Sequence, residues 1–412
     1  MSLSPPIAEP LRLALLAAMP SPLPQGSQVF LGAQARALAA AGAEVTLLCY
    51  GRGAATPAVG PEGAEPGEGD AARGAAMPRP PPTLLRAPRL LSPVPLRSGP
   101  SLGKPLADAA LLATWLRARA RRRYDVVLAH HAEAAVVACA SRWLARVPVV
   151  YVAHTLLEAE LAAFAPAPLA RVCDRLGAAF DRGLVRAADA VIALSRAAAE
   201  RLAPAARGPL EWIPPGLDPA PPPRALAVRA ACARHGLVPG QFALYSGNLD
   251  AYQELPLLAA AAAAAPELAV VVATHESRRS PPAPLRVARA ADAAEARALL
   301  FGAGAAVLPR RRTGGLPIKL LNAMEAARAI VAHGDVAEGL THGESAWLLS
   351  PGAGAAEWAA ALRAVLGDPA LSTRLGVGAR RVLETRHAWP ALAARTLALC
   401  ASVVRATGRA GA

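Results

Sequence analysis

Short apolar runs rich in valine, leucine and isoleucine alternate with longer stretches rich in alanine, leucine and arginine along the whole chain. Runs of about four to eight residues with helical spacers are typical of buried parallel strands. The first half contains LRLALLAA, AEVTLLCY, YDVVLAH, VPVVYVAH and ADAVIALS, and the second half contains FALYSGN, LAVVVAT, AAVLP, AIVAHG and SAWLLS. Two such series predict an α/β protein with two Rossmann-like, doubly wound domains.

Proline interrupts this alternation at one place in the middle of the chain. The stretch PPGLDPAPPP, from Pro214 to Pro223, favours neither a helix nor an inner strand. We therefore predict a first domain over residues 1–213, a linker over residues 214–224 and a second domain over residues 225–385.

A second irregular stretch lies inside the first domain, over residues 51–105. It is rich in glycine and proline, acidic in its first part and basic in its second. About fifty residues without periodicity inside a compact domain predict a functional or disordered insertion.

The composition narrows the class of protein. The chain has 412 residues, which suffices for two domains, and its formal net charge is +14. The arginines are spread over the helical stretches without interleaved aromatic residues, so we expect no nucleic-acid partner. The positive charge suits solvated helix faces and is also compatible with peripheral contact with an anionic membrane surface.

Targeting and cysteine signals are weak. No run of about 18 apolar residues is free of charge or proline, so no transmembrane helix is expected. The segment LRLALLAAMPSP is better interpreted as a buried first strand than as a signal peptide, because its apolar run leads into a turn. The five scattered cysteines show no metal-ligand spacing, so we expect no metal site and a reducing, cytoplasmic location.

The segment LPRRRTGGLPIKLLNAME, from Leu308 to Glu325, carries the clearest chemical signal. Of the 44 basic residues, only Lys104 and Lys319 are lysines. A glycine-rich turn at a helix N-terminus offers free backbone N–H groups and the positive end of the helix dipole to a phosphate. An ammonium on a flexible stem can follow charge as it develops there. The segment predicts a phosphate site, and a capped surface helix with a stray lysine is the structural alternative.

Two strand-to-helix turns carry a glycine followed by a polar residue. Gly26 and Ser27 follow the first strand of the first half, and Gly247 and Asn248 follow the first strand of the second half. Ligands bind in the crevice at the carboxyl ends of such strands. The first turn is not GxGxxG, and no acidic residue ends the second strand, so a nicotinamide dehydrogenase is not expected. Taken alone, the Gly-Ser turn favours a structural role over a ligand contact.

Histidines and acids follow two other predicted strands. His130, His131 and Glu133 come after YDVVLA, and His154 comes after VPVVYVA with Glu158 just beyond it. A neutral imidazole at the carboxyl end of a strand can hydrogen-bond a sugar hydroxyl. We expect a ligand contact for His154, while His130 and His131 suit either a ligand contact or a structural role.

Eight segments together resemble a known family. In order they are PQGSQVFLGAQARALAAAGAEVTLLCYG, YDVVLAHHAEAA, VPVVYVAHTLLEAEL, ADAVIALS, WIPPGLD, YSGNLDAYQEL, LPRRRTGGLPIKLLNAMEAARAIVAHG and EGLTHGESAWLLSPG. Nearly the whole chain resembles a family 4 glycosyltransferase of the GT-B fold. Each segment alone is a weak signal, but their order and spacing are specific.

The resemblance implies two domains that face each other across a cleft. The C-terminal domain would hold a nucleotide-sugar donor, with UDP the favoured nucleotide, and the N-terminal domain would hold a lipid-linked, glycan or small-molecule acceptor. The final helix, over residues 386–412, would cross back to the first domain. Transfer would retain the anomeric configuration, with no bound metal and no cofactor besides the nucleotide-sugar co-substrate.

The resemblance also implies roles for individual residues. The catalytic group comprises His154, which would touch the donor sugar, and Lys319 and Arg310, which would hold the diphosphate. The donor-binding residues are Gly26, Ser27, Gly247, Asn248, Gly314, Gly315, Asn322 and Glu325. The acceptor-side residues are His130, His131, Glu133 and Glu158.

The chain departs from the family pattern at several positions. Of the usual pair of glutamates, the first position falls within residues 311–313 and the second is Asn322. Asn322 can still hydrogen-bond a ribose hydroxyl, and Glu325 lies one helical turn further on. The basic residues expected after the first strand of the second domain are replaced by Asp250, Gln253 and Glu254. We interpret these changes as a divergent subgroup with a PIKLLN-type helix.

The sequence thus predicts a retaining glycosyltransferase that acts in the cytoplasm, with peripheral contact with the inner face of the cell membrane as an option. Two rivals remain open. One is a GT-B-fold nucleotide-sugar epimerase or hydrolase, and the other is a catalytically silent GT-B binding protein.

Overall fold

The computed structural model describes residues 9–21, 26–51, 80–89, 103–164, 167–310 and 315–408. The chain divides into two compact units. The first unit comprises Met1–Ile213 together with Trp389–Ala412, and the second comprises Pro214–Ala388.

A parallel sheet forms the centre of the first unit. Among the described residues it has seven strands in the order β3-β2-β1-β4-β5-β6-β7. They are β1 Arg12–Pro20, β2 Glu44–Tyr50, β3 Thr83–Arg86, β4 Val126–His130, β5 Val149–Ala153, β6 Ala190–Ala193 and β7 Leu210–Trp212. The residues of β4 and β5 are buried throughout, which is why their sequences read as continuous apolar runs rather than as an alternation.

Helices cover this sheet. They are α1 Gly26–Ala40, α2 Lys104–Arg121, α3 His131–Ala140, α4 Arg142–Ala145, α5 Leu157–Phe164, α6 Ala170–Ala187 and α7 Arg196–Leu202. The turn that follows α1 contains Gly42, whose φ of +108° is a conformation that suits glycine. The core beneath the helices includes Leu111, Trp115 and Tyr151.

The second unit repeats the design. Its sheet has six strands within the described residues, all parallel, in the order β10-β9-β8-β11-β12-β13. They are β8 Phe242–Ser246, β9 Ala269–Thr274, β10 Arg286–Arg289, β11 Ala305–Leu308, β12 Ala329–His333 and β13 Trp347–Leu349. The accompanying helices are α8 Ala225–Arg234, α9 Leu255–Ala263, α10 Ala293–Gly302, α11 Ile318–Glu325, α12 Ala355–Gly367 and α13 Pro369–Arg386.

The last helix, α14 Trp389–Ala406, belongs to the first unit. Its buried face includes Trp389 and Leu392. The Trp389 ring lies 5.6 Å from the ring of Phe30 in α1, measured between centroids. Helices α1 and α14, which lie far apart in the sequence, are therefore packed against each other.

The predicted fold class, α/β with two doubly wound sheets, is confirmed, and all ten predicted strands are present. Three strands were not predicted: β3, β7 and β10. Strand β3 corrects the interpretation of residues 51–105 as wholly irregular, because Thr83–Arg86 pairs in parallel with β2. The rest of that stretch, residues 52–79 and 90–102, lies outside the described residues. In the part of the chain that the structure describes, no helix is both long and apolar enough to cross a bilayer.

Candidate functional site

Strands β8 and β11 are neighbours at the point where the strand order of the second sheet reverses. Ligands of doubly wound sheets bind at this switch point, beyond the carboxyl ends of the strands. Gly247 and Asn248 follow β8, Arg310 follows β11, and Lys319 lies at the start of α11.

The Lys319 side chain reaches back across this edge to β8. Its ammonium donates a hydrogen bond of 2.5 Å to the Tyr245 hydroxyl and lies 3.5 Å from Oδ1 of Asn248. The same nitrogen lies 4.4 Å from the centre of the Tyr245 ring. Burial, and secondarily the charge of Arg310, lower the pKa of Lys319 to about 7. The ammonium therefore loses hydration without gaining a full counter-charge.

Arg310 supplies a second cation beside Lys319. Its guanidinium carbon lies 5.4 Å from the centre of the Tyr252 ring, and burial lowers its pKa. Asp250 favours the charged form of Lys319, but Arg279 also engages the Asp250 carboxylate at 3.2 Å. The site thus places two partly desolvated cations together, and the carboxylates of Asp250 and Asp335 favour their charged forms.

A hydrogen-bonded loop supports the two cations. The Tyr245 hydroxyl donates to the backbone oxygen of Asn248 at 2.7 Å, and Gln253 donates to Asn248 Oδ1 at 2.9 Å. The Asn248 amide lies 3.3 Å from the Tyr252 hydroxyl. Tyr245, Tyr252 and Gln253 are not among the site residues predicted from the sequence. The available signal was that two of only five tyrosines fall within eight residues of each other.

The remaining predicted donor residues of α11 differ in their surroundings. Gly315 is half-buried just before the helix, and Gly314 lies outside the described residues. Asn322 is half-buried, and its side-chain amide has no hydrogen-bond partner within the described ranges.

Glu325 is held by the proline-rich stretch rather than left open. Its carboxylate forms an ion pair with Arg297 at 2.8 Å and accepts a hydrogen bond from the Ala220 N–H at 3.0 Å. Arg297 in turn donates to the backbone oxygens of Ala220 and Pro221. Both carboxylate oxygens are engaged, so the observed contacts of Glu325 are those of a structural clamp.

In the first unit, three histidines meet beyond the ends of β4 and β5. His130 Nδ1 lies 3.0 Å from His154 Nε2, and the ring of His131 stacks on that of His154 with centroids 4.0 Å apart. The edge of Phe30 contacts His154 at 5.1 Å between centroids. His130 is fully buried, and its Nε2 has no hydrogen-bond partner among the residues that the structure describes.

Burial keeps these imidazoles neutral. It lowers the pKa of His130 to about 3 and that of His131 to about 4, and it lowers the pKa of His154 well below its ordinary value. His131 has a φ of +70°, an uncommon conformation for a residue with a side chain. That conformation turns the chain directly from β4 into α3.

Several polar side chains lie near the histidines. Lys104, at the start of α2, forms an ion pair of 2.6 Å with Glu133 in α3. Tyr50 at the end of β2 donates to Asp108, and Thr155 donates to Glu160 at 3.1 Å. Of these residues, only Glu133 is among the site residues predicted from the sequence. Burial raises the pKa of Asp108 and that of Glu160.

The other predicted residues of the first unit lie apart from these contacts. Glu158 forms a two-pronged ion pair with Arg201 of α7, with distances of 2.9 and 3.0 Å. Gly26 and Ser27 form the start of α1, after the carboxyl end of β1. Backbone N–H groups at a helix start are suited to an anion.

The carboxyl edges of the two sheets carry side chains that suit different ligands. The second unit offers two partly desolvated cations, which suit a diphosphate. The first unit offers neutral imidazoles, carboxylates and hydroxyls, which suit the hydroxyls of a sugar. Among the described residues, no group of three or more histidine, cysteine or acidic side chains is arranged to hold a metal ion.

Solved structures with the same fold cover nearly the whole chain. Sucrose-phosphate synthase from Thermosynechococcus elongatus is 18% identical with a TM-score of 0.72, covering 96% of this chain and 100% of that one. HepE from Anabaena, in complex with UDP-glucose, is 17% identical with a TM-score of 0.65, covering 94% and 99%. Trehalose 6-phosphate synthase from Burkholderia multivorans is 13% identical with a TM-score of 0.62, covering 97% and 98%. The fold is that of the GT-B glycosyltransferases.

Family comparisons identify the class of enzyme more closely. Residues 24–221 match the family described as Glycosyltransferase Family 4, and residues 243–368 match the family described as Glycosyl transferases group 1. No curated protein matches the chain. The chain belongs to the family 4 glycosyltransferases.

Proposed function

We propose that this enzyme transfers a sugar from a UDP-sugar to a lipid-linked, polysaccharide or small-molecule acceptor, with retention of anomeric configuration. HepE of the same fold has been solved with UDP-glucose, which supports a UDP-sugar as the donor. No cofactor besides this nucleotide-sugar co-substrate is part of the proposal.

The observation that carries the proposal is the pairing of Lys319 and Arg310. Both cations lie at the switch point, both contact tyrosine rings, and burial lowers the pKa of each. A diphosphate placed there would neutralise two desolvated charges at once, so its binding would remove an electrostatic cost that the free protein carries. Gly315 and the start of α11 would add backbone N–H groups to the same phosphates.

The same two cations would act in the chemical step. Breaking the bond between the anomeric carbon and the β-phosphate oxygen leaves negative charge on the departing UDP. Lys319 and Arg310 would stabilise that charge without a metal ion. The acceptor hydroxyl would attack from the face that UDP leaves, and the β-phosphate oxygen would take the hydroxyl proton. This route retains the anomeric configuration.

The histidine group would position the sugars. His154 would contact the donor sugar, with His130 holding its Nε2 at 3.0 Å and thereby setting its tautomer and orientation. His131, Glu133 and Lys104 would bind acceptor hydroxyls. We place the reaction in the cytoplasm, with peripheral attachment to the inner face of the membrane.

The test is a panel of UDP- and GDP-sugars incubated with the enzyme while nucleotide release is followed. Slow release from one UDP-sugar that lipid or glycan acceptors accelerate is the expected result. Formation of an epimer, or acceptor-independent release at the full rate, contradicts transfer and supports the epimerase or hydrolase. Tight binding with no turnover on any acceptor supports a silent binding protein instead.

A further inference from the structure

Helix α6 carries an unusual exposed face. Its buried side, which includes Gly177, Ala178, Leu184 and Val185, packs into the first unit. A Cβ at Gly177 would lie 2.6 Å from the Glu158 backbone of α5, so the two helices are in close backbone contact. The helix is therefore a firmly held element, and its outer side faces solvent.

A stripe of large apolar side chains runs along that outer side. Its members are 50–62% exposed and recur every three or four residues, which puts them on one face of the helix. They are Leu169, which immediately precedes the helix, Val172, Leu176 and Phe180. A contiguous exposed apolar patch bordered by polar residues is typical of an interaction surface.

A row of arginines lies beside the stripe. Its members are all exposed and also share one side of the helix, about 100° around the axis from the apolar stripe. They are Arg171, Arg175, Arg182 and Arg186. In the part of the chain that the structure describes, none of the four forms an ion pair. The acids of the helix lie elsewhere, since Asp181 is buried and Asp174 is half-buried on the far side.

We propose that this face of α6 binds an anionic membrane surface. An apolar stripe inserts at the boundary between headgroups and acyl chains, while arginines beside it reach the lipid phosphates. The row of four cations favours an anionic bilayer over an uncharged apolar partner. Attraction to an anionic leaflet contributes about 1 kcal/mol of binding free energy for each arginine near its surface. This inference deepens the proposed function, since it assigns the surface at which a lipid-linked acceptor is delivered.

Vesicle flotation tests the inference without any sugar substrate. The parent enzyme should float with vesicles of phosphatidylcholine and phosphatidylglycerol, and much less with pure phosphatidylcholine. Leu176→Ser with Phe180→Ser should lower partitioning at least tenfold. Arg175→Gln with Arg182→Gln should lower it roughly thirtyfold, which is the loss of two such arginine contributions.

Matched controls separate the surface from general charge and apolarity. Leu226→Ser removes an apolar side chain that is 71% exposed on α8, and Arg117→Gln with Arg121→Gln removes two exposed cations of α2. Each should change partitioning less than about threefold. All variants should melt like the parent and bind UDP-sugar in solution. Failure of the parent to bind any UDP-sugar, while it still floats with anionic vesicles, would contradict the proposed function alone.

Three outcomes overturn the inference. The first is equal flotation of the parent and the Leu176→Ser, Phe180→Ser variant on anionic vesicles, and the second is no flotation of the parent at all. The third is self-association of the parent in sedimentation that this variant abolishes while vesicle binding stays unchanged. This third result would assign the stripe to a second copy of the chain.

Discussion

The Lys319 side chain lies directly over Gly247. A Cβ at residue 247 would fall 2.4 Å from both Cε and Nζ of Lys319, a distance that real side chains do not adopt. Gly247 also has a φ of +149°, which side chains disfavour. The turn after β8 therefore lacks a side chain so that a cation from α11 can occupy that space.

Gly247→Ala should displace this ammonium while the sheet remains folded. We expect a loss of at least tenfold in UDP-sugar affinity or turnover, because the Lys319 nitrogen would move away from its Tyr245 contact. Gly352→Ala is the matched control, since a Cβ there meets nothing within 4 Å. Titration calorimetry and steady-state kinetics on both variants measure the effect. Equal affinities and rates would show that the contact has no role in donor use.

Lys319→Ala should cost about 2–4 kcal/mol of transition-state energy, or roughly a hundredfold or more in turnover. Donor affinity should fall less, because Arg310 and backbone N–H groups also bind the phosphates of the donor before it reacts. Lys319→Arg should restore activity only in part, because a planar guanidinium differs from a compact ammonium. Turnover of Lys319→Ala within about threefold of the parent argues against the phosphate role.

Lys319→Met should raise the melting temperature of the unliganded enzyme while it lowers turnover. The native lysine carries a pKa of about 7, which means that its charged form is disfavoured in the folded protein. An apolar side chain of similar length removes that cost. Scanning calorimetry on the two proteins measures the difference, and a lower melting temperature for Lys319→Met would mean that the ammonium is structural.

Donor binding should depend on pH through the same group. In the free enzyme the Lys319 pKa is about 7, and a bound diphosphate should raise it. Binding above pH 7 must then take up a proton, so affinity should fall as pH rises, by up to tenfold per pH unit. Calorimetry with an intact UDP-sugar in two buffers of different ionisation enthalpy measures the proton uptake. Lys319→Met should show neither the uptake nor the pH dependence.

Glu325→Ala should destabilise the second unit rather than weaken nucleotide binding. It removes the partner of Arg297 and of the Ala220 N–H, which we expect to cost about 2–3 kcal/mol in the free energy of unfolding. Asn322→Ala should do the reverse, with a loss of about 1 kcal/mol in donor affinity and little change in stability. Urea unfolding and nucleotide titration distinguish the two patterns.

The histidine group should make the first unit sensitive to acid. The folded pKa values of His130 and His131 are about 3 and about 4, below their unfolded value. The unfolded chain therefore binds more protons, and stability falls with decreasing pH from about 6.5 by about 1.4 kcal/mol per pH unit for each histidine. His130→Leu should show a shallower decline in urea titrations between pH 6.5 and 4.5. Parallel declines in variant and parent would mean that His130 does not stay neutral.

Two kinds of feature could not be predicted from this sequence: the edge strands of the sheets, and contacts between residues that lie far apart in the chain. Inner strands such as β5 are apolar throughout, so their runs were recognisable. The missed strands β3, β7 and β10 are three or four residues long and read TLLR, LEW and RVAR. Edge strands of this kind bury less surface, so no continuous apolar run marks them.

The residues of the candidate site likewise fall into those that the sequence predicts and those that it does not. Residues that directly follow a strand, such as His130 and Gly247, could be predicted because strand ends mark the binding edge. Partners that come from another element could not, since Lys104 and Glu133 are 29 residues apart and meet only through the fold. The ion pair that engages Glu325 likewise depends on Arg297, 28 residues away in α10.

The contact between Phe30 and Trp389 has a consequence for how the chain acquires its structure during synthesis. Helix α14 packs in the first unit but follows the second unit in the sequence. The ribosome has therefore made all of the second unit before α14 can pack against α1. The second unit is continuous in sequence and emerges whole, whereas the first must wait with an apolar surface on α1 uncovered. Translation order therefore leaves this surface of α1 without its α14 partner until the last part of the described chain has been made.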